Sequence, residues 1–533
     1  MKSQFFQKIC IWLIHKLQNK APGKGAMTLI TAFLFFAFST LGLGMLYLSQ
    51  IYLKLGSYKK NAVILAYASE NGIKDAYNQL TQFVRQIPLP IVLAPEKAAD
   101  LSTDAKAKGT LAVEELLGST PPLRSDDFRK NMHWSTQTNF MVKHFEEYED
   151  HCHEILDVII QADGFITNFN EKRTTQLLAL LELWIGHIPL STFPFLIDKN
   201  LSPGQQEAFI ADHNIEVSSS SKDVPLTGIC FSPEEVIPSD ATPLVKKALK
   251  INIFQPQELS STLLREALGL EPSNDPVPDG VYLIQDDFGL GGIYVEGNLD
   301  EMVLAIDHES QVISFRSEIG QWQLKFNPMD IETIFISPEG AQSFNLTPRG
   351  IIVVNGEIRS LGGGTVNASG EVLMVKDEEI PCILKGVSLT IVSSEKTTLS
   401  SHLIHQGMKW EDGVPYIKDN NSQLHIFAAG QDVQGMSNDN GGIVIASDSP
   451  DDLKVQATIT ASGKGISVEG KNKTVNIFGS LQASYYIANG NGLQLTHDQR
   501  ITSDKSHREN GPKSSKPILH VATYGAMEWQ ENQ

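Results

Sequence analysis

Five consecutive residues, Asp150-His151-Cys152-His153-Glu154, form the densest run of potential metal ligands in the chain. A structural zinc site needs four such donors at defined spacing. No CxxC or HxxxH partner accompanies the run, and on a helix His151 and His153 point about 200° apart. The run therefore reads as a solvated helical stretch without a metal. Ser, His and Asp are plentiful, but no GxSxG nucleophile turn occurs. GLGG at 289–292 lacks the strand, spacing and lysine of a phosphate loop and reads as a tight turn. The acids Asp286, Asp287, Asp300, Glu301, Asp448, Asp451 and Asp452 could supply the carboxylate pair of a polysaccharide-cleaving enzyme. Most stand beside Gly at strand ends, where turn chemistry accounts for them. No catalytic, cofactor or metal residue is assigned, and the chain reads as non-enzymatic.

The strongest organising signal is apolar. From Ala26 to Leu53 no side chain is charged. Twenty-eight helical residues span roughly 42 Å, more than the ~30 Å hydrocarbon core of a bilayer. The 25 residues before it are basic and hold no acid, whereas the whole 533-residue chain has a net charge of −19. That asymmetry predicts a leader, 1–25, left in the cytoplasm and a single pass through the inner membrane. The bulk would then be periplasmic or extracellular. So acidic a bulk disfavours nucleic acid as a partner. Beyond the span, 61–87 repeats apolar residues at three- and four-residue spacing: Val63, Ile64, Ala66, Tyr67, Ile73, Ala76, Tyr77, Leu80 and Val84. Pro88 and Pro90 end the pattern. One long helix over 26–87 is the simplest expectation.

The middle, 88–270, reads as helical and interrupted by loops. AVEELLG (112–118) and TTQLLALLELWIGHI (174–188) carry apolar periodicity. From Gly280 the texture changes to short alternating segments closed by Gly, Asn, Asp and Ser, such as QVISF, GIIVVNGEIRSLGG and TVNIFGSLQAS. These predict half-buried strands. Their recurrence suits a β-solenoid, a right-handed β-helix, over 276–500, with a β-sandwich as the alternative and a tail with a closing strand over 501–533. The fold class expected is thus α+β and multidomain. Cys152, Cys230 and Cys382 follow the apolar run; one bridge among them is left open, and a disulfide framework is not indicated.

GAMTLITAFLFFAFSTLGLGMLYLSQ followed by AYASENGIKDA resembles the N-terminal region of PilX-type pilus assembly proteins, which are minor-pilin-like. Gly23-Lys24-Gly25 before the apolar helix is the arrangement cut in prepilins, which implies processing between Gly25 and Ala26. The alternative is a signal anchor that is never cut. Ala66, Ala68 and Glu70, with Ala76, match the Ala-rich turn with a Glu that follows the span in that group. The fifth mature position, Ile30 or Thr31, is not acidic, unlike that of a major pilin. Residues 276–531 resemble an uncharacterised bacterial β-rich family often found after such N-termini. The resemblance implies a membrane-anchored structural protein of a type IV pilus or type II secretion-like system. Its partners would be other pilin or pseudopilin subunits, met through the apolar helix, and the membrane. The alternative function is a membrane-anchored carbohydrate-binding or carbohydrate-cleaving solenoid, with Trp322, Trp410, Tyr416, Tyr485 and Tyr486 as possible platforms.

Overall fold

The computed structural model describes residues 57–86, 90–94, 96, 124–125, 132–148, 150–166, 169–199, 201–219, 229–232, 236–251, 259–286, 289–329, 331–411, 414–417, 421–437, 440–498, 500 and 511–531. The expected α+β organisation is corrected: the described residues are mostly β, 53% strand against 13% helix. It divides into two compact units. One comprises residues 1–188, 223–227 and 516–533, the other 189–222 and 228–515.

The first unit packs a helix, α1 (Ser57–Gln86), on one sheet. Its strands are β1 (Ile91–Val92), β2 (Arg124–Ser125), β3 (Met132–Glu147), β4 (His151–Ile166), β5 (Phe169–Gly186) and the C-terminal strand Ile518–Glu531. The long strands run antiparallel in the order C-terminal strand, β5, β4, β3; β1 borders the C-terminal strand and β2 borders β3. The chain leaves this sheet after Gly186 and re-enters it at Ile518, and those two residues are paired neighbours. The second unit is therefore an insertion between two hydrogen-bonded strands.

Two helical expectations fail here. TTQLLALLELWIGHI lies largely in β5, and DHCHE enters β4. In β5, Leu177, Ala179, Leu181, Leu183 and Ile185 share one face and are all nearly fully buried. Leu178, Leu180 and Trp184 occupy the other face, so apolar residues stand on both sides and the alternation is hidden. Hydrogen bonding to long strands on either side overrides the helix propensity of Leu and Ala. AVEELLG lies outside the described residues.

The second unit stacks strands in parallel, rung on rung, as a solenoid. Each rung gives one strand to each of two stacks: Gly289–Glu296 and Glu301–Asp307, then Ile351–Asn355 and Ile358–Val366, then Ser388–Ser393 and Lys396–Leu399. Three further rungs continue to Tyr486–Ile487. Register is set by like residues in contact. Ile293, Ile352, Ile391, Ile426, Ile459, Leu481 and Phe195 form one continuous ladder. Met302, Leu361, Leu399, Ile445 and Val468 form another. All are buried. Each such side chain contributes about 1.5–3 kcal/mol by leaving water. The stack reaches back to Phe195–Ile197, Ile215–Ser219 and Ile229–Phe231, residues of the region read as helical. GLGG is a strand rather than a turn. A Cβ on Gly292 would stand 2.4 Å from the Ile351 carbonyl oxygen and 2.9 Å from the Ala248 Cβ, so only Gly fits under the helix Thr242–Ala248.

The membrane placement is also corrected. Among the described residues no helix is long and apolar enough to cross a membrane. The leader 1–25 and the run 26–53 lie outside them. α1 itself carries Lys59, Lys60, Glu70, Lys74, Asp75 and Arg85, and a sheet covers its apolar face. The single-pass inner-membrane placement thus loses the helix it stood on.

The insertion predicts that residues 187–517 can be replaced by a two-residue Asn-Gly turn joining Gly186 to Ile518. The shortened chain should give a β-rich circular dichroism spectrum and unfold in one cooperative urea transition. A spectrum of unfolded chain would contradict it.

Candidate functional site

The residues matched to the pilin-like motif fall on one surface. Ala66 and Ala68 are buried on the face of α1 that meets the sheet, together with Leu65, Ser69, Ile73, Ala76 and Tyr77, while Glu70 stands half-buried at its flank. Small residues let the helix come close. A Cβ on Gly164 of β4 would stand 2.5 Å from the Leu65 carbonyl oxygen and 2.8 Å from the Ala68 Cβ. One on Gly72 would stand 2.9 Å from both the Ala162 Cβ and the Trp134 ring. Ser69 Oγ lies 2.7 Å from Thr175 Oγ1, a hydrogen bond that fixes the helix along β5. Gly25 and Ala26 lie outside the described residues. Sequence reading missed Gly164; the available signal was a lone Gly inside an otherwise apolar β run.

Within the Asp150–Glu154 run, His151 to Glu154 are buried rather than solvated, and Asp150 is half-buried. Alternation along β4 puts His151 and His153 on one face and Cys152 and Glu154 on the other. Tyr148 stacks on His151 at 4.4 Å, and His153 stacks on Trp184 at 4.0 Å. His151 Nδ1 is 2.7 Å from Asp150 Oδ1, and His153 Nε2 is 2.8 Å from Glu182 Oε1. His520 is fully buried on the C-terminal strand, beyond β5, where desolvation pushes its imidazole down to about 3. The side chains are thus shared out in pairs. Among the described residues no group of three His, Cys, Asp or Glu converges to hold a metal ion. Glu154 points to the apolar face, 1% exposed, and neither oxygen has a hydrogen-bond partner. Burial pushes its carboxyl up to about 7.

In the solenoid five of the seven acids are taken by neighbours. Asp300 pairs with Arg359 at 2.6 Å and Glu301 with Arg316 at 3.2 Å. Asp448 pairs with Lys376, Asp451 with Lys473 at 3.8 Å, and Asp452 with Lys454 at 3.3 Å and Asn476 at 2.6 Å. Asp286 ends the strand Gly280–Asp286; Asp287 lies outside the described residues. The aromatic residues are not aligned. Trp322 and Tyr486 are buried in the core, Tyr485 is exposed, and Trp410 and Tyr416 sit in the hairpin Met408–Glu411 and Val414–Ile417. Cys152, Cys230 and Cys382 are buried and form no disulfide. Burial pushes the Cys230 and Cys382 thiols up to about 12, so neither is a nucleophile at neutral pH.

One Ser–His pair has the polarity of a nucleophile and its base. His405 Nε2 is 2.8 Å from the Gln456 carbonyl oxygen, which can only accept, so Nε2 carries the proton. Nδ1 then accepts from the Ser422 hydroxyl at 2.6 Å. Burial pushes the imidazole down to about 4, consistent with this neutral form. Ser422 is fully buried, and the adjoining space has room for about one water. The Gln456 side-chain oxygen also accepts from the His405 amide at 2.6 Å, so the group ties strands together. Compared with known protein families, curated proteins and solved structures, the chain shows no significant match.

Two outcomes follow from the helix-bearing sheet. Glu154 has a folded-state carboxyl near 7 against an ordinary value of 4.5. Its contribution is fully present below about pH 4.5 and is lost as pH rises through about 7. Glu154→Gln should therefore gain stability over the parent at pH 8, by at most about 3 kcal/mol, and lose the gain by pH 4.5. Urea midpoints across that range check it. Gly164→Val should cost about 1–3 kcal/mol or more, because the atoms it meets first are backbone. The same midpoint at fixed pH reads it.

Proposed function

We propose that the chain is a non-catalytic subunit of a pilin-like assembly. The helix-bearing sheet is the part built into the assembly, and the inserted solenoid is the part displayed. The insertion carries this reading. A body of more than three hundred residues enters and leaves through two paired strands at Gly186 and Ile518, so it can be borne without altering the sheet. The uncharged sequence 26–53 lies just before α1 in the chain, and its apolar residues suit contact with like segments of other subunits. The net charge of −19 argues against nucleic acid as the partner. The carbohydrate reading has less behind it, because Asp300, Glu301, Asp448, Asp451 and Asp452 each face a basic partner, and Trp322 and Tyr486 are buried in the core.

Deleting residues 26–53 tests the reading. The full chain is expected in a high-mass complex on native gels, with other subunits that carry an apolar helix. The deletion variant is expected to keep its β-rich spectrum and its urea midpoint but to run alone. Unchanged assembly of the deletion variant, or turnover of a polysaccharide by the full chain, would contradict it.

A further inference from the structure

One stack of the solenoid runs out into an exposed edge. From the strand Glu301–Asp307 the sheet continues antiparallel through Ser310–Ser317, Gly320–Asn327 and Glu332–Ser337 to Gly340–Phe344. Among the described residues no strand pairs with the far side of Gly340–Phe344. Gly340, Ala341, Gln342 and Ser343 are exposed, Phe344 is half-buried, and Asn345 and Leu346 are exposed beyond it. The strand that ends the other stack, Gly280–Asp286, differs: it is buried or half-buried from Gly280 to Ile284. Between Gly340 and Thr347 the sequence holds no charge and no Pro, the features that usually protect an edge. Apolar surface gathers around it. Ile319, Met329, Ile331, Ile336 and Leu346 are five of the ten large apolar side chains that stand exposed among the described residues. Such a concentration marks an interaction surface.

We propose that this edge pairs with the same edge of a second copy of the chain, about a two-fold axis through Gln342. In a contact of one edge with itself, residue i opposite j requires j opposite i, so the two strands run antiparallel. That continues the antiparallel order of the sheet. With Gln342 opposite its own copy, Gly340 meets Phe344 and Ala341 meets Ser343, so the whole strand overlaps. Pro338 and Pro348, which have no amide to donate, fall outside the overlap. The side chains fit this register. Ala341 stands beside Ile336 and Ser343 beside Ile334 on the neighbouring strand. One face of the joined sheet then carries Ile336, Ala341, Ser343 and Ile334 in a row, and the same row again in the opposite sense. At the axis each Gln342 amide holds both a donor and an acceptor, so the two can bond each other. Exposed Leu346 falls beside Pro338 of the second copy. The charges agree as well: Glu339 lies opposite Asn345, and no like charges meet. A strand of another protein would need no such self-match, and that selects a second copy. Five residues and their flanks cover less than the roughly 800 Å² per partner of a lasting interface, so the pair is transient and covalent trapping reads it.

The pairing goes beyond the assembly reading, because it uses the solenoid alone. The full chain carrying Gln342→Cys is oxidised under mild conditions, and the parent chain, with its native thiols, sets the background. Directly opposed residues of antiparallel strands have Cα atoms about 4.5–5.5 Å apart, within disulfide reach. Met329→Cys is the control, since Met329 is 86% exposed but lies off the axis. Gln342→Cys should give roughly tenfold more covalent dimer than Met329→Cys. Adding Ala341→Lys and Ser343→Lys sets lysines against each other across the axis. Trapping should then fall to the Met329→Cys level while the urea midpoint stays in place, because both positions are exposed. Equal trapping at 342 and 329, none at either, or trapping that the lysines leave unchanged overturns the pairing. So does a disulfide from Gln342→Cys to a different protein in place of its own copy. If the native-gel complex persists in any of these cases, the assembly reading stands and only the pairing falls. A cross-link retained when residues 26–53 are deleted supports the pairing as a property of the solenoid.

Discussion

The pairing of β5 with the strand Ile518–Glu531 is the constraint on which the first unit rests. It joins residues more than three hundred positions apart and returns the end of the chain to the sheet that began near its start. Closing so long a loop costs little more than closing a short one, because the entropy grows only with the logarithm of length. The gain is local and large: Leu519 joins Leu93, Cys152 and Ile185 in one buried cluster. The first unit is thereby complete in itself, and the inserted body is free to have its own architecture.

The two units solve burial in different ways. The helix-bearing sheet uses small residues, Ala66, Ala68, Gly72 and Gly164, so that backbones approach where side chains would not fit. The solenoid uses large residues in register, with Ile on Ile through successive rungs. Its stability is therefore spread over many similar contacts between neighbours. The polar interior follows the same logic. Gln311 donates to the Ala305 and Cys382 carbonyls at 2.9 Å and accepts from the Leu384 amide at 2.8 Å, tying the strand Glu301–Asp307 to the segment around Cys382. Glu154 departs from it, a buried carboxyl with no hydrogen-bond partner on the apolar face of a sheet.

The strands after Gly280 were legible because many alternate simply and Gly, Asn, Asp or Ser stands at most of their ends. GIIVVNGEIRSLGG divides into Ile351–Asn355 and Ile358–Val366 at its Asn-Gly. The irregular spacing of the rungs hid their stacking, because excursions such as the hairpin Met408–Ile417 lengthen single turns without moving the ladders. β5 was illegible for a different reason. Leu on both faces reads equally as a helix, and only its antiparallel neighbours on either side decide the matter. The His151–Glu154 run misled in the same way, since polar residues buried in pairs across strands look solvated in one dimension. Ala66 and Ala68 stood out in sequence as small residues, but the apolar periodicity assigned them to a rod, whereas they seat the helix on a sheet. The apolar run 26–53 dominated that reading, and it lies outside the described residues.

Hydrogen exchange read by mass spectrometry on the full chain tests the central claim most directly, because it reports which segments open together. Peptides from the strand Ile518–Glu531 should exchange as one block with those from β4 and β5, at a rate distinct from the ladder strands Ile351–Asn355 and Ser388–Ser393. Exchange of the C-terminal strand with the solenoid, or as fast as free chain, would contradict a first unit built from both ends of the sequence.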